Sequence, residues 1–167
     1  MITIGRNIAR SVRPGRSRAL LHAAAALLTL SVLAAPASAR PFQQYLNGAC
    51  TGNLCKINFA AVPAGHRMDI KNASCYLRLN QVVAPKTPQI RAMQILVLGA
   101  GSPNVVSAVT MAPSLTGTAG IEFMYSAAQP LASFAGPQQR FQAYVEIRQA
   151  TFSQFACHIS GDLERIL

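Results

Sequence analysis

The sequence predicts an all-β fold: an antiparallel β-sandwich of about eight strands, jelly-roll-like before immunoglobulin-like, after an N-terminal signal helix. Three observations lead there. Beyond residue 39, apolar and polar residues alternate with a period of two, the mark of strands buried on one face. Short apolar runs are punctuated by Gly- and Pro-rich turns, which favours many short antiparallel strands. No amphipathic stretch longer than two helical turns stands out after the first segment.

That first segment comes in three parts. Residues 1–18 carry Arg6, Arg10, Arg13, Arg16 and Arg18 and no acidic residue. An apolar run over 19–35 sets leucines among alanines, and Pro36-Ala37-Ser38-Ala39 then offers small residues to a signal peptidase. Basic, apolar and small-residue regions in that order make a secretory signal peptide. A membrane span needs about 20 strongly apolar residues, whereas this run is shorter, rich in alanine and interrupted by His22. The absence of an Arg-Arg pair argues against the twin-arginine route. The absence of a cysteine at the cleavage site argues against a lipid anchor. The expected division is a signal peptide over 1–39 and one domain over 40–167. The mature chain is expected to be secreted or periplasmic, without a transmembrane segment, and the Ala/Arg-rich style is that of a bacterial protein.

Within 40–167 the clearest strand is 140–148. Phe141, Ala143, Val145 and Ile147 fall on one face, and Arg140, Gln142, Tyr144, Glu146 and Arg148 on the other. Near the end, Phe155, Cys157, Ile159 and Leu163 oppose Ala156, His158, Ser160 and Asp162. The stretch 67–79 alternates with a slip in phase: Met68 and Ile70 are even, Ala73, Cys75, Leu77 and Leu79 odd. One extra residue near Asn72 restores the pattern, which is what a β-bulge does. Further strands are expected at 42–47, 56–62, 90–98, 105–111, 121–126 and 130–134. The turns between them include Pro63-Ala64-Gly65, Gly99-Ala100-Gly101-Ser102-Pro103 and Thr116-Gly117-Thr118-Ala119-Gly120.

All four cysteines follow residue 39, and an even count in an exported chain reads first as disulfides. Three pairings are possible. Cys50–Cys55 is favoured because Gly52 and Asn53 suit a tight loop between them. Cys75–Cys157 is the remainder, with both residues on the apolar phase of their strands. A metal site using Cys50, Cys55 and His66 or His158 is the rival reading. It lacks a Cys-x-x-Cys or a close histidine pair, and thiolates are disfavoured in an oxidising compartment.

The run Val-Pro-Ala-Gly at 62–65 leads into a cysteine-bearing strand, and the chain closes on Cys157-His158-Ile159-Ser160-Gly161-Asp162-Leu163. Together these resemble small exported bacterial proteins of unknown function that end in a Cys-x-Ile-Ser-Gly strand. The resemblance implies a β-sandwich and an exported location. It offers no catalytic or binding residue.

Charge narrows the partners. Five of the fifteen basic residues leave with 1–39 while all five acidic residues stay, so the formal +10 falls to about +5. The remaining cations are scattered, which excludes a nucleic-acid footprint. Their excess suits anionic polysaccharide or envelope lipid.

Catalytic chemistry is poorly supplied. The only carboxylates are Asp69, Glu122, Glu146, Asp162 and Glu164, and no spacing pairs them. His158, Ser160 and Asp162 share one strand face and the residue types of a hydrolytic triad. The order is wrong, however, because the imidazole must lie between hydroxyl and carboxylate. His158 and Asp162 are also about 13 Å apart along an extended strand. The expectation is a non-enzymatic structural, adhesive or ligand-binding protein, with no catalytic residue, metal or cofactor. A carbohydrate- or envelope-binding module using Arg140, Tyr144 and Arg148 is the alternative, and a hydrolase comes third. Intact-mass analysis of the exported protein is expected to give a chain beginning at Arg40 or within a few residues of it. Recovery of only the full-length chain in membranes would overturn the signal assignment.

Overall fold

Residues that alternate in sequence alternate in burial. The computed structural model describes residues 39–82 and 84–166, so the expected signal helix lies outside the described residues. Ten strands follow one another: β1 (Arg40–Asn47), β2 (Ala49–Thr51), β3 (Leu54–Ala61), β4 (His66–Gln81), β5 (Gln89–Leu98), β6 (Val105–Thr110), β7 (Ser114–Ala119), β8 (Glu122–Ala135), β9 (Arg140–Arg148) and β10 (Ala150–Arg165). They form two antiparallel five-stranded sheets. The first has the order β1-β10-β4-β8-β7 and the second β2-β3-β9-β5-β6.

The apolar phases of both sheets supply one core. Leu77, Leu79, Phe155 and Ile159 come from the first sheet, and Ile57, Met93, Ile95, Phe141 and Ile147 from the second. Each such side chain contributes about 1.5–3 kcal/mol on leaving water. Among the described residues, no helix is long and apolar enough to cross a membrane.

The two disulfides lie within sheets. Cys75 on β4 faces Cys157 on β10 in direct register, and the two are bonded across 82 residues of chain. Both are buried in the core. Cys50 on β2 faces Cys55 on β3 and is bonded to it. Gly52, at φ +58°, makes the tight turn between them in the left-handed region that glycine enters at little cost. The long bridge removes more freedom from the unfolded chain, about 4–5 kcal/mol against about 2 for the short one.

The bulge lies where the phase slip placed it. Ile70 pairs with Gly161 and Asn72 with Ser160, leaving Lys71 as the extra residue on β4. Here the strands come so close that position 161 has no room for a side chain. A Cβ there would lie 1.9 Å from the Asp69 carbonyl oxygen.

Three expectations change. The strands number ten rather than about eight, because two short ones sit in stretches read as turns. The segment containing Thr116-Gly117-Thr118-Ala119 belongs to edge strand β7, and β2 arises in the Cys50–Cys55 loop. The strands expected at 121–126 and 130–134 are one continuous β8, with Pro130 inside it. Pro130 is tolerated because β7 pairs with β8 only as far as Ser126, so the proline removes no ladder bond on that side.

Substituting Gly161→Ala is expected to destabilise the protein by more than about 3 kcal/mol, because no side-chain rotation relieves a clash with backbone. Ser160→Ala, one residue away, is expected to stay within about 0.5 kcal/mol. Urea unfolding of the two variants checks this, and similar midpoints for both would contradict the close approach.

Candidate functional site

With the core phases of β1, β10, β4 and β8 turned inward, their other residues form the outer face of the first sheet. Register lays these residues out in rows. Tyr45, His158, Ser74 and Ala128 lie side by side across the four strands, flanked by Gln43, Ser160, Asn72 and Pro130 on one side. On the other side lie Asn47, Ala156, Tyr76 and Ser126. None of these twelve residues is Lys, Arg, Asp or Glu. Tyr45 is 60% exposed, and Ser74, Asn72 and Gln43 are exposed around it. Asn72, Ser74, Ala128, Pro130 and His158 line a shallow depression of about 290 Å³. The Tyr76 hydroxyl accepts a hydrogen bond from Arg78 Nε at 3.2 Å.

His158, Ser160 and Asp162 occupy this face in the order the sequence implied. Asp162 does not reach His158: it is ion-paired with Lys71 and lies opposite Asp69. His158 stands between Tyr45 and Ser74.

One end of the face carries a charge cluster that spacing alone did not reveal. Pairing of β4 with β10 brings Asp69, Asp162 and Glu164 together, three of the five carboxylates. Arg67 Nη2 donates to Asp69 at 3.1 Å and to Glu164 at 2.9 Å, and Lys71 pairs with Asp162. The Arg67 guanidinium also lies over the Phe134 ring at 5.9 Å, a cation–π contact on a ring that is 65% exposed. Arg67 Nε is buried without a hydrogen-bond partner. The available signal was the bulge, since adding one residue at Lys71 puts Asp69 in register with Asp162. The hydrogen bond and the charge of Asp162 hold Lys71 above its ordinary 10.5.

The remaining carboxylates are paired as well, Glu122 with Arg78 at 3.4 Å and Glu146 with Arg91 at 3.5 Å. Every acidic side chain therefore has a cationic neighbour.

Arg140, Tyr144 and Arg148 lie on the outer side of the second sheet. Eight residues of strand separate the two arginines, about 26 Å at 3.3 Å per residue. They cannot grip one small anionic group together. Tyr144 sits between Lys56 on β3 and Gln94 on β5, and burial, then Glu146, raises its phenol above 10.0. Gln142, expected to face outward, is buried and donates to Asn58 Oδ1 at 2.7 Å. His66 is held in its turn, with Nδ1 3.0 Å from the Ala64 carbonyl. Among the described residues, no group of three His, Cys, Asp or Glu is placed to hold a metal ion. Comparison with known proteins finds no matching family model and no matching curated protein.

The Lys71–Asp162 pair makes a pH prediction. A raised lysine pKa contributes stability that is fully present below 10.5 and lost as pH rises through the higher folded value. The Lys71 ammonium, followed by NMR, is expected to titrate above 10.5 in the wild type and to return to the ordinary range in Asp162→Asn. Identical titration in both proteins would remove the pairing.

Proposed function

We propose that this is an exported, non-catalytic binding protein that engages its ligand through the outer face of the first sheet. The observation that carries the reading is the Tyr45 ring, 60% exposed among three rows of outer-face residues none of which is charged. A ring flanked by amides and hydroxyls offers apolar area and hydrogen bonds together, the combination that binding surfaces use.

Other features support the same reading. General acid–base catalysis needs a proton donor and acceptor poised at the reacting group, and the carboxylates here are each engaged by Arg or Lys. With the short partners β2 and β7 set aside, the strands run β1-β10-β4-β8 and β3-β9-β5-β6. We read this order as jelly-roll-like, an architecture that includes lectin domains. That likeness is an analogy of fold, and the site carries the argument. Secretion or periplasmic residence rests on the signal pattern at 1–39. The two disulfides are consistent with an oxidising extracellular compartment.

The test is retention by isolated envelope polysaccharide. Tyr45→Ala and Ser74→Arg are each expected to weaken it about tenfold, the effect of removing or blocking a central contact, with the unfolding midpoint unchanged. Arg140→Gln combined with Arg148→Gln is expected to leave it intact. Loss in that double variant alone would move the site to the second sheet.

A further inference from the structure

The charge distribution on the outer face of the first sheet narrows the ligand. We propose that the face takes a neutral polysaccharide chain, laid across β1, β10 and β4 between Tyr45 and Tyr76. This rests on the reading of that face as the binding surface and specifies its ligand.

The two rings sit two strands apart and one residue pair out of row. At about 4.8 Å between strands and 3.3 Å per residue, their Cα atoms are about 12 Å apart. Ala156 lies buried between them, and His158 and Ser74, in the row of Tyr45, open with Asn72, Ala128 and Pro130 onto the shallow depression of the face. Pyranose rings present apolar C–H faces and equatorial hydroxyls. Tyr45 supplies a flat apolar surface for the former, while Gln43, Asn72, Ser74 and Ser160 supply donors and acceptors for the latter.

The charged groups frame this field rather than enter it. Arg78 and Glu122 are paired with each other at one end. Arg67 and Lys71 are committed to Asp69, Glu164 and Asp162 at the other. An anionic chain would find no free cation on the field and would meet three carboxylates at one margin. A neutral chain meets neither penalty, and its binding is insensitive to salt, because no exposed ion pair is screened.

NMR titration of the protein with cellohexaose, chitohexaose and hexagalacturonate separates the ligand class from the choice of face. The expected result is shifts at Tyr45, Ser74 and His158 with a neutral hexasaccharide. They should be unchanged between 50 mM and 500 mM salt, a range over which the Debye length shrinks several-fold. Tyr45→Ala should weaken that binding about tenfold, and Tyr76→Phe, which keeps the ring, should retain it. Shifts at the same residues with hexagalacturonate alone, fading with salt, would overturn the neutral ligand and leave the face standing. Shifts confined to the Tyr144 side, or none with any of the three, would overturn both.

Discussion

The pairing of β4 with β10 is the contact on which the rest of the architecture depends. These two sixteen-residue strands run together from His66–Arg165 to Gln81–Ala150 in the middle of the first sheet. The Cys75–Cys157 bond fixes their register near the midpoint, and the register shifts on either side of it, at the Lys71 bulge opposite Gly161 and at Ser153. Because side chains alternate, a slip of one residue would exchange the core set for the outer set along both strands. The disulfide opposes such a slip with a covalent bond. The run from Cys157 to Gly161 thus has a structural account: Cys157 locks register, Ile159 fills the core, and Gly161 admits the neighbouring backbone.

The outer face follows from that register. Placing Cys157 and Ile159 inward leaves His158 and Ser160 outward, and placing Ala73 and Cys75 inward leaves Asn72 and Ser74 beside them. Tyr45 joins the row because β1 pairs along β10 with Phe42 and Leu46 turned to the core. At the bulge and beyond it, Arg67, Asp69 and Lys71 of β4 gather with Asp162 and Glu164 of β10, outside the rows. One local irregularity therefore separates an uncharged field from a cluster of ion pairs.

Much of the fold was legible in the sequence and the site was not. Period-two alternation placed β4, β9 and β10, and the phase slip located the bulge, because one-sided burial writes itself directly into residue order. Edge strands β2 and β7 escaped because they bury little, so selection for apolar residues leaves no alternation there. The strands expected at 121–126 and 130–134 proved to be one, since the sequence does not reveal that β8 lacks β7 as a neighbour beyond Ser126, where Pro130 is tolerated. Tyr45 was missed for a different reason. Its strand is short, and Gln44, on the inward phase, is polar because its Oε1 accepts the Ala60 amide across the gap between sheets. That polar inward residue interrupts the alternation of Phe42 and Leu46 that would have marked Tyr45 as outward. The convergence of Asp69, Asp162 and Glu164 is a property of register between distant strands, which no local spacing records.

The central claim is that β4–β10 register creates a neutral binding field on one face of the sandwich. A crystal structure of the protein with bound cellohexaose tests it most directly. The account requires glycan density crossing β1, β10 and β4, with a sugar ring against Tyr45 and hydroxyls within hydrogen-bond reach of Asn72 or Ser74. Density seated instead beside Tyr144 on the second sheet, or against Arg67 and Phe134 among the ion pairs, would contradict it.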